Sequence, residues 1–501
     1  MDLSSRRHIA AILFVASLVV LPGLGRATLW EPDEPRFAEA TRQMFERGDF
    51  LTPYLNGSPR YEKPILFYWL QAASTEIFGS NELAVRVPSA LAGIGAVLLL
   101  YLLGCEVASP RAALFAAFSL ATMFRFVVFA RLGLTDMPVV FFVVAALYGF
   151  VRASQRGSPA WAFIGWLCVG LGVLTKGPVG LLPIAVWVVY APLSGGRSAL
   201  SSIRPLSGVA LAAAISLPWY VAMIVQHGRA FVDFAIGHEM VERAFVEGSF
   251  EPPRSVFYYL KVWPGDAAPW SLLFIAGAVW VWRRWSRFDA ATKRAFMFSV
   301  IWFGCVFLVF SLVRSKVVHY VLPAYPAAAL FIGVFVERLD ELAPNAGRRV
   351  VAAVYSIAFT LALAYALIGI LVVPRAIEPF KPMAVLGREA GRQATDDVPI
   401  GLLGRYGFSS LVYYSHHNVR LLDDGDAAVD FLSRHGSALC VMLASDFEQL
   451  APRLDGVEIL AHGEEFNVRI ERLMERRRTP GREWVLVRRS EAAATSGRRP
   501  V

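Results

Sequence analysis

Charged residues and cysteines are both scarce in this sequence. Asp, Glu, Lys and Arg make up 18% of its 501 residues, whereas hydrophobic residues make up 56%. An ordinary soluble domain carries more charge and fewer apolar residues, so that class of protein is excluded. The four cysteines show neither pairing nor metal-like spacing, and we therefore expect no disulfide framework. They are Cys105, Cys168, Cys305 and Cys440.

Nucleotide-binding signatures are missing as well. The sequence contains neither a Walker loop nor a G-x-G-x-x-G motif after a strand, so a nucleotide is not the expected donor. The formal net charge of +9 does not indicate nucleic-acid binding, because most surplus basic residues stand in short loops between apolar runs. The expected partners are membrane lipids, with no nucleic acid.

Long apolar runs are what the sequence does contain. They recur at lengths close to the ~20 residues that a helix needs to cross a bilayer. A membrane barrel would instead show ~10-residue segments of alternating polarity. The runs predict an α-helical polytopic membrane protein with about eleven to thirteen spans, and a shorter interfacial helix at 65–78. The eleven clearest spans lie near residues 9–25, 83–104, 112–130, 137–151, 160–174, 178–193, 206–225, 268–282, 296–313, 318–336 and 350–373.

Basic residues in the connections predict the orientation. Every second connection is basic, beginning with Arg6 and Arg7, which places the N-terminus in the cytoplasm. The long connections and everything after the last span then lie on the outer face. The first span is followed by a weak cleavage site, so we expect it to remain as a signal anchor.

Composition divides the chain into three parts. Residues 1–373 are expected to form the membrane domain, with the first outer loop, 26–64, as its catalytic loop. A small extracytoplasmic α/β domain is predicted over 374–488, and a disordered tail over 489–501. The β-like runs that support the second domain are 399–403, 419–422, 438–443, 457–460 and 484–487.

The first outer loop holds an unusual group of charges. The motif EPDEPRF places Asp33 and Glu34 between prolines, and the motif YEKP places Glu62 and Lys63 where the chain re-enters the membrane. Asp33 or Glu34 can either cap the following helix or act as a catalytic carboxylate. Ionised groups at membrane depth are costly and are usually paired or functional, so the Glu62–Lys63 pair favours the catalytic interpretation.

Three further motifs stand on the same predicted face. Asp136 in LTDMP either caps the fourth span or serves the same cavity, and Lys176 in LTKGP is expected to snorkel. GHEMVERAF forms either a solvated helix face or a phosphate-binding group that includes His238 and Arg243. RSKVVHYVLPAYP is more typical of an anion site than of an anchor, and it supplies Arg314, Lys316, His319 and Tyr320.

Together these groups suit transfer from a phosphate-linked donor. A carboxylate can accept the proton of an acceptor hydroxyl or amine while cations stabilise the departing phosphate. The candidate catalytic residues are Asp33, Glu34 and Asp136, with Glu62 in the same cavity. The candidate phosphate-binding residues are Arg36, Lys63, Arg243, Lys316 and His319.

Six motifs between about residues 30 and 326 carry a family resemblance. They are DEPRFAEATRQMFERGDFLTPYLNG, YEKPILFYW, ELAVRVPSALAG, ARLGLTDMP, LTKGPVG and SKVVHYVLPAYP. In this order they resemble the GT-C glycosyltransferases that use polyprenyl-phosphate sugars, in the branch of the lipid A aminoarabinose transferase and the protein O-mannosyltransferases. Two features depart from the pattern. Ile65 stands where a second proline is common, and the C-terminal domain offers no matching motif.

The resemblance implies a GT-C membrane domain of about a dozen helices and inverting sugar transfer. Asp33 is then the expected base, and Glu62 and His238 line the cavity. Those two residues would bind a divalent metal ion, unless Glu62 pairs with Lys63 instead. No other cofactor is expected beside the polyprenyl-phosphate sugar as co-substrate. The residues implied to hold the lipid phosphate are Arg36, Lys63, Arg243, Lys316 and Tyr320.

The predicted function is transfer of a sugar from an undecaprenyl-phosphate-type carrier to a lipid, glycan or protein acceptor at the periplasmic face of a bacterial inner membrane. A transporter or flippase of lipid-linked sugars is the alternative, and a catalytically inactive assembly subunit is a third. Transporters usually place their charged groups near mid-bilayer. The candidates here stand at the ends of spans, which favours the transferase.

Overall fold

The computed structural model describes residues 3–243, 254–342, 345–395, 397–435, 437–454, 456–465 and 481–489. The chain forms two compact units, and each combines segments that are distant in sequence. The first unit contains Met1–Leu24, Phe50–Thr52 and Tyr61–Leu371. The second contains Gly25–Asp49, Pro53–Arg60 and Val372–Val501.

The first unit is helical, and each of the eleven predicted spans overlaps one of its helices. The α-helices are Leu3–Val20, Leu66–Phe78, Glu82–Val107, Pro110–Thr122, Phe124–Ala130, Asp136–Arg156, Pro159–Lys176, Leu182–Ser194, Gly196–Ser202, Pro205–His227, Arg229–Phe231, Tyr258–Asp266, Trp270–Arg284, Ala290–Leu312, Tyr325–Leu342 and Asn345–Leu371. The 3-10 helices are Gly177–Leu181, Trp285–Arg287 and Val318–Ala324, and Val232–Glu242 is a π-helix.

The helical, multi-pass membrane architecture predicted from the apolar runs is confirmed. Within the described ranges, seven helices are long and apolar enough to cross a bilayer, or eight if the bent pair at 110–130 is one span. This number is lower than the predicted eleven to thirteen. One reason is that Pro159–Ser194 counts once among the seven, although the chain turns sharply inside it. A Cβ atom on Gly180 would lie 2.2 Å from the amide nitrogen of Val173, an approach that a straight helix does not allow.

The second unit contains a hairpin and an α/β sheet. The hairpin strands are β1 (Tyr54–Leu55) and β2 (Ser58–Pro59). The sheet strands are β3 (Ile400–Leu403), β4 (Val419–Leu422), β5 (Leu439–Leu443), β6 (Val457–Glu465) and β7 (Arg482–Arg489), in the order β4-β3-β5-β7-β6. Strand β3 runs parallel to β4 and β5, and β7 runs antiparallel to β5 and β6. The α-helices of this unit are Asp33–Arg47, Val373–Ile377, Pro382–Gln393, Phe408–Ser415, Gly425–Arg434 and Ala444–Leu450, with 3-10 helices at Glu378–Phe380 and Ala451–Arg453.

The sheet is covered on both faces, as alternation along its central strand shows. Leu439 and Val441 of β5 pack into one apolar cluster, and Cys440 and Met442 pack into another. Successive side chains of a strand point to opposite faces, so a strand that is apolar at every position indicates two buried faces. All five β-like runs predicted from the sequence overlap strands, and the predicted small α/β fold is confirmed.

Most of the first outer loop packs with the C-terminal residues. The Asn56–Gly57 pair forms the hairpin turn, with both residues in the left-handed region. Asn56 Nδ2 donates to the carbonyl of Val419 at 3.0 Å, and its Oδ1 accepts from the Val419 amide at 2.7 Å. Farther upstream, the Leu29 amide donates to Tyr414 Oη at 2.7 Å.

The predicted domain boundaries had placed this loop with the membrane helices. Backbone-directed contacts explain why it packs with the C-terminal residues instead, since Asn56 lies against the edge strand β4. The boundaries at 373 and 488 stay predictions. The predicted disordered tail falls outside the described residues from 490 onward.

Candidate active site

A network of charged side chains in the first unit connects separate segments of the chain. Lys63 Nζ donates to Glu239 Oε2 at 2.9 Å and to the carbonyl of Glu62 at 3.0 Å. The other carboxylate oxygen of Glu239 accepts from Arg243 Nη2 at 3.0 Å. Arg243 Nη1 donates to Tyr320 Oη at 2.9 Å. Glu239 therefore lies between two cations, and Arg243 extends the network to Tyr320.

Asp136 is the centre of a second group in the same unit. Its Oδ1 accepts from Lys176 Nζ at 2.7 Å, and His319 Nε2 lies 3.8 Å from the same oxygen. Lys176 Nζ also lies 5.6 Å from the centroid of the Tyr320 ring, so Tyr320 joins the two groups. We call the combined set the charge cluster; it consists of Lys63, Asp136, Lys176, Glu239, Arg243, His319 and Tyr320.

Antiparallel helix packing brings Asp136 and Lys176 together. Asp136 is the first residue of one helix, and Lys176 is the last residue of the next. The two helices approach closely at Gly149 and Gly165, where a Cβ atom on Gly149 would lie 2.7 Å from the amide nitrogen of Gly165. Small residues at such contacts are typical of membrane helices. The second helix therefore returns to the end of the pair at which Asp136 lies.

The other side of the charge cluster is built on less regular backbone. Glu239 belongs to the π-helix, and Arg243 follows directly after it. π-Helical turns are rare and are frequently found at functional sites. The Ser315 amide donates to the carbonyl of Arg243 at 3.1 Å, which ties this segment to the turn that precedes Tyr320. Tyr320 itself lies on a 3-10 helix.

The charge cluster holds more fixed positive than negative charge. Lys63, Lys176 and Arg243 face the two carboxylates Asp136 and Glu239, and none of the five side chains is more than 26% exposed. Burial lowers the pKa of Lys63, Arg243 and Lys176 lower it further, and Glu239 raises it. An added anion would favour the protonated amine, so this environment is suited to binding a phosphate.

The helix that begins at Asp33 carries the other predicted catalytic residues, in the second unit. Asp33 is 51% exposed, and its Oδ1 lies 3.7 Å from Arg36 Nη1. Arg36 Nε donates to Ser409 Oγ at 3.3 Å. Glu34 is buried, and its Oε2 accepts from the Trp30 amide at 2.8 Å. Of the two neighbouring carboxylates, Glu34 therefore caps the backbone, whereas Asp33 stays accessible to solvent.

The remaining predicted residues have other surroundings. His238 Nδ1 lies 2.6 Å from Glu242 Oε2, and the buried Lys316 donates to the carbonyl of Val313 at 2.5 Å. Glu62 contributes its backbone carbonyl to Lys63. Across the described ranges, no three or more His, Cys, Asp or Glu side chains are grouped so that they could hold a metal ion. The metal-binding role of Glu62 and His238 stays a prediction.

Two members of the charge cluster were not among the predicted site residues. The sequence pattern predicts snorkelling for Lys176 and leaves the segment around Glu239 open between a solvated helix face and a phosphate-binding group. In the structure both side chains form partly or fully buried ion pairs. The sequence did contain a signal for these two residues, and it is the one that identified Lys63. An ionised residue beside an apolar span is usually paired. What the pattern did not supply was the partner, which for Lys176 lies 40 residues earlier.

Comparisons with known proteins show what this chain is similar to. Residues 62–221 match the family profile described as dolichyl-phosphate-mannose-protein mannosyltransferase. The crystal structure of ArnT from Cupriavidus metallidurans bound to undecaprenyl phosphate superposes with a TM-score of 0.75 at 22% identity, and the match covers 96% of this chain and 97% of that chain. The chain therefore has the GT-C fold. The resemblance inferred from the six motifs is thus confirmed.

Curated relatives are similar over about two thirds of this chain. An undecaprenyl phosphate-alpha-4-amino-4-deoxy-L-arabinose arabinosyl transferase of Pseudomonas fluorescens is 31% identical over 344 residues, 67% of this chain and 61% of that protein. The corresponding transferase of Edwardsiella ictaluri is 29% identical over 336 residues, 66% of this chain and 59% of that protein. The chain thus spans less than two thirds of the length of these relatives.

Proposed function

We propose that this protein is an inverting glycosyltransferase that moves a sugar from a polyprenyl phosphate to a lipid, glycan or protein acceptor. An acceptor oxygen or nitrogen forms a bond to the anomeric carbon of the sugar. The bond between that carbon and the phosphate oxygen breaks, and both of its electrons stay with the phosphate. The acceptor proton passes to a carboxylate, and the polyprenyl phosphate leaves as a monoester.

The charge cluster is the observation that carries this proposal. As the phosphate changes from a diester to a monoester it gains negative charge, so fixed cations stabilise the transition state more than the ground state. Lys63 and Arg243 supply such cations, and Tyr320 supplies a hydroxyl donor beside them. Their carboxylate partner Glu239 holds both in place before the phosphate arrives. Arg36, Lys316 and His319 are further candidates for contacts with the phosphate.

Asp33 is the proposed base. A general base must be able to reach a proton on the acceptor, and the Asp33 carboxylate is half exposed. The other candidates are already engaged: Glu34 accepts from the Trp30 amide, and Asp136 is paired with Lys176. These contacts favour Asp33 over Glu34 and Asp136 as the group that accepts the proton.

The names of the relatives support an undecaprenyl-type donor. Two of them are named for an undecaprenyl phosphate-linked aminoarabinose, and the superposed ArnT structure is described as bound to undecaprenyl phosphate. From these names we propose the same lipid carrier for this chain. Lipid A is one of the lipid acceptors that the proposal includes. The basic connections support a bacterial inner membrane location with the N-terminus in the cytoplasm and residues 374–488 in the periplasm.

The position of the charge cluster on its helices supports a transferase over a flippase. Asp136 begins its helix and Lys176 ends the next one along the chain, so both stand at helix ends. Transporters place coupling and substrate groups near the bilayer midplane, commonly in broken helices. The arrangement here is the one expected for an interfacial reaction.

A transfer assay tests the proposal. Membranes that contain the wild type, Asp33→Asn or Asp430→Asn receive a panel of radiolabelled polyprenyl-phosphate sugars together with total envelope lipid and protein. Asp430 is a matched control, because it is an exposed aspartate paired only with Arg434 on a surface helix. We expect label in an acceptor with the wild type and the control, and none with Asp33→Asn.

Two other results would count against parts of the proposal. Transfer by Asp33→Asn at the wild-type rate would remove Asp33 as the base and direct attention to Asp136 or Glu62. If folded wild-type protein transferred no sugar from the complete donor panel, the transferase assignment would fail. Movement of the labelled donor across the bilayer in the same membranes would then support the flippase alternative.

A further inference from the structure

The α/β sheet of the second unit has a crevice at the ends of its parallel strands. Its volume is about 430 Å³, within the range of ~300–1,000 Å³ that is common for small-molecule sites. Its walls come from the segments that directly follow β3, β4 and β5, and from β7. The side chains used in the argument below are Arg405, Tyr406, Asp423, Asp446 and Trp484. We call this space the carboxyl-edge crevice.

Sheet topology makes this edge a favoured place for a ligand. Strand β3 has its successor β4 on one side and β5 on the other, and all three run in the same direction. The connection from β3 leads to β4 on one side, and the connection from β4 leads back past β3 to β5 on the other side, so the strand order reverses beside the carboxyl end of β3. In open α/β sheets ligands bind at such a switch point.

Two stacked aromatic rings form one wall of the crevice. Tyr406 packs on the buried Trp484 with ring centroids 5.6 Å apart and an angle of 22° between the ring planes. Tyr406 is itself 43% exposed, so the buried indole supports a ring that is accessible from outside. Burial and the nearby Glu465 carboxylate raise the pKa of Tyr406 to about 12, so its hydroxyl stays protonated and donates a hydrogen bond to Glu465.

Charged groups of both signs line the rest of the crevice. Arg405, Asp423 and Asp446 make no ion pair or hydrogen bond within the part of the chain that the structure describes. Three surface charges without a protein partner are ordinary when scattered. Here they converge on one concavity beside an accessible aromatic ring, and together they offer both donors and acceptors to a polar ligand.

The positions at which such sheets usually bind a phosphate are already occupied by carboxylates. The Ser410 amide, in the first turn of helix Phe408–Ser415, donates to Glu31 Oε1. The Ala427 amide, in the first turn of the next helix, donates to Asp424 Oδ1 at 2.8 Å. The N-terminal end of each helix therefore holds an anion from the protein itself. Asp423 and Asp446 would further repel an anionic ligand.

The geometry points to a saccharide-binding site in the carboxyl-edge crevice, for a neutral or amine-bearing sugar that stacks on Tyr406. The face of an aromatic ring is negative and attracts the weakly positive C–H groups of a sugar ring. Carboxylates and guanidinium groups provide acceptors and donors for neighbouring hydroxyls. This site goes beyond the proposed transferase function and does not require that sugar transfer takes place.

Binding to the full-length protein in detergent micelles tests the inference. Saturation-transfer NMR and calorimetry would be run with glucosamine disaccharide, mannotriose and arabinobiose, and with inorganic phosphate for comparison. We expect saturable binding of at least one saccharide and none of phosphate. Tyr406→Ala removes the stacking surface and Asp446→Asn removes a charged acceptor, and each should weaken binding about tenfold.

Control variants separate binding from folding. Tyr406→Phe keeps the ring and should keep most of the affinity, whereas Asp430→Asn changes an exposed aspartate outside the crevice and should keep all of it. If Tyr406→Ala unfolds, Asp446→Asn still decides the question. The inference is overturned if no saccharide in the panel binds saturably, if phosphate binds in its place, or if Tyr406→Ala and Asp446→Asn both bind like the wild type.

The source of the sugar is decided by a second measurement on the same variants. If the crevice holds the sugar headgroup of an acceptor lipid, Tyr406→Ala raises the acceptor KM and leaves kcat unchanged. If it holds a free saccharide, the variant loses binding and the acceptor KM stays at the wild-type value. Because binding is measured without donor, failure of the transferase proposal would leave the binding result intact.

Discussion

Replacement of Lys63 by methionine separates the charge of this residue from its bulk. Methionine has nearly the same length and no charge, so the apolar stem of the side chain keeps its packing. The variant loses the 2.9 Å contact with Glu239 and the contact that the amine would make with the donor phosphate. Glu239 keeps Arg243 at 3.0 Å, so its carboxylate is not left unpaired.

The remaining pair limits the effect on folding. Breaking a buried ion pair usually costs ~3–5 kcal/mol because one charge is left without a partner. Arg243 prevents that outcome here, and the variant should therefore fold. Loss of one hydrogen bond to a charged group is worth ~1.5–3 kcal/mol. Applied to the transition state, this loss lowers kcat/KM about 10- to 150-fold, since ~1.4 kcal/mol corresponds to a factor of ten.

Part of the loss should fall on kcat. The phosphate gains negative charge only as the bond to the sugar breaks, so the missing cation is felt most in the transition state. The assay is transfer of labelled sugar at varied donor concentration, with Lys63→Met compared with Lys63→Arg and Lys293→Met. Lys63→Arg keeps the charge and should recover much of the rate. Lys293→Met is the control. Lys293 lies in the first turn of Ala290–Leu312, whereas Lys316 follows the opposite end of that helix.

One result would refute the reasoning directly. A folded Lys63→Met protein with kcat/KM within about twofold of the wild type would show that Lys63 does not contact the reacting phosphate. In that case the charge cluster would be a structural network, because its ion pairs would then exist to satisfy one another.

Three further predictions follow from the contacts described above. Because burial lowers the pKa of Lys63, the alkaline limb of the kcat/KM profile should move to higher pH in Lys63→Arg, and an unmoved limb would show that Lys63 does not titrate there. Asp136→Asn leaves Lys176 with an uncompensated charge and should destabilise the protein by about 3–5 kcal/mol. The double variant with Lys176→Met should recover part of that stability, and equal melting points for the single and double variants would contradict this. Asn56→Gly keeps the turn conformation but loses both hydrogen bonds to Val419, at about 1–3 kcal/mol, which faster hydrogen exchange of β4 would detect and unchanged exchange would contradict.

Features that depend on neighbours in the chain were predictable from the sequence. Each of the eleven segments that apolar length and continuity predicted overlaps a helix, because the need to satisfy the backbone in lipid acts on each segment separately. Alternating short apolar runs identified the strands of the second unit for the same local reason. The ordered motifs from Asp33 to Tyr320 identified the GT-C family.

Choices between neighbouring or chemically equivalent groups were decided by the tertiary structure. Asp33 and Glu34 have the same charge and adjacent positions, and only the hydrogen bond from the Trp30 amide separates the capping residue from the exposed one. The outer loop was assigned to the membrane domain by its position between spans. Its pairing with the edge strand depends on Asn56 meeting Val419, which is 363 residues away.

The charge cluster shows most clearly what the sequence alone determined and what it did not. Local hydropathy marks Lys63 and Lys176 as ionised residues beside apolar segments, and this much can be read without a structure. Their partners lie 176 and 40 residues away, at Glu239 and Asp136. The Asp136–Lys176 pair forms because two helices pack closely through small residues and the chain reverses between them. Such contacts depend on the shapes of whole helices rather than on any one segment.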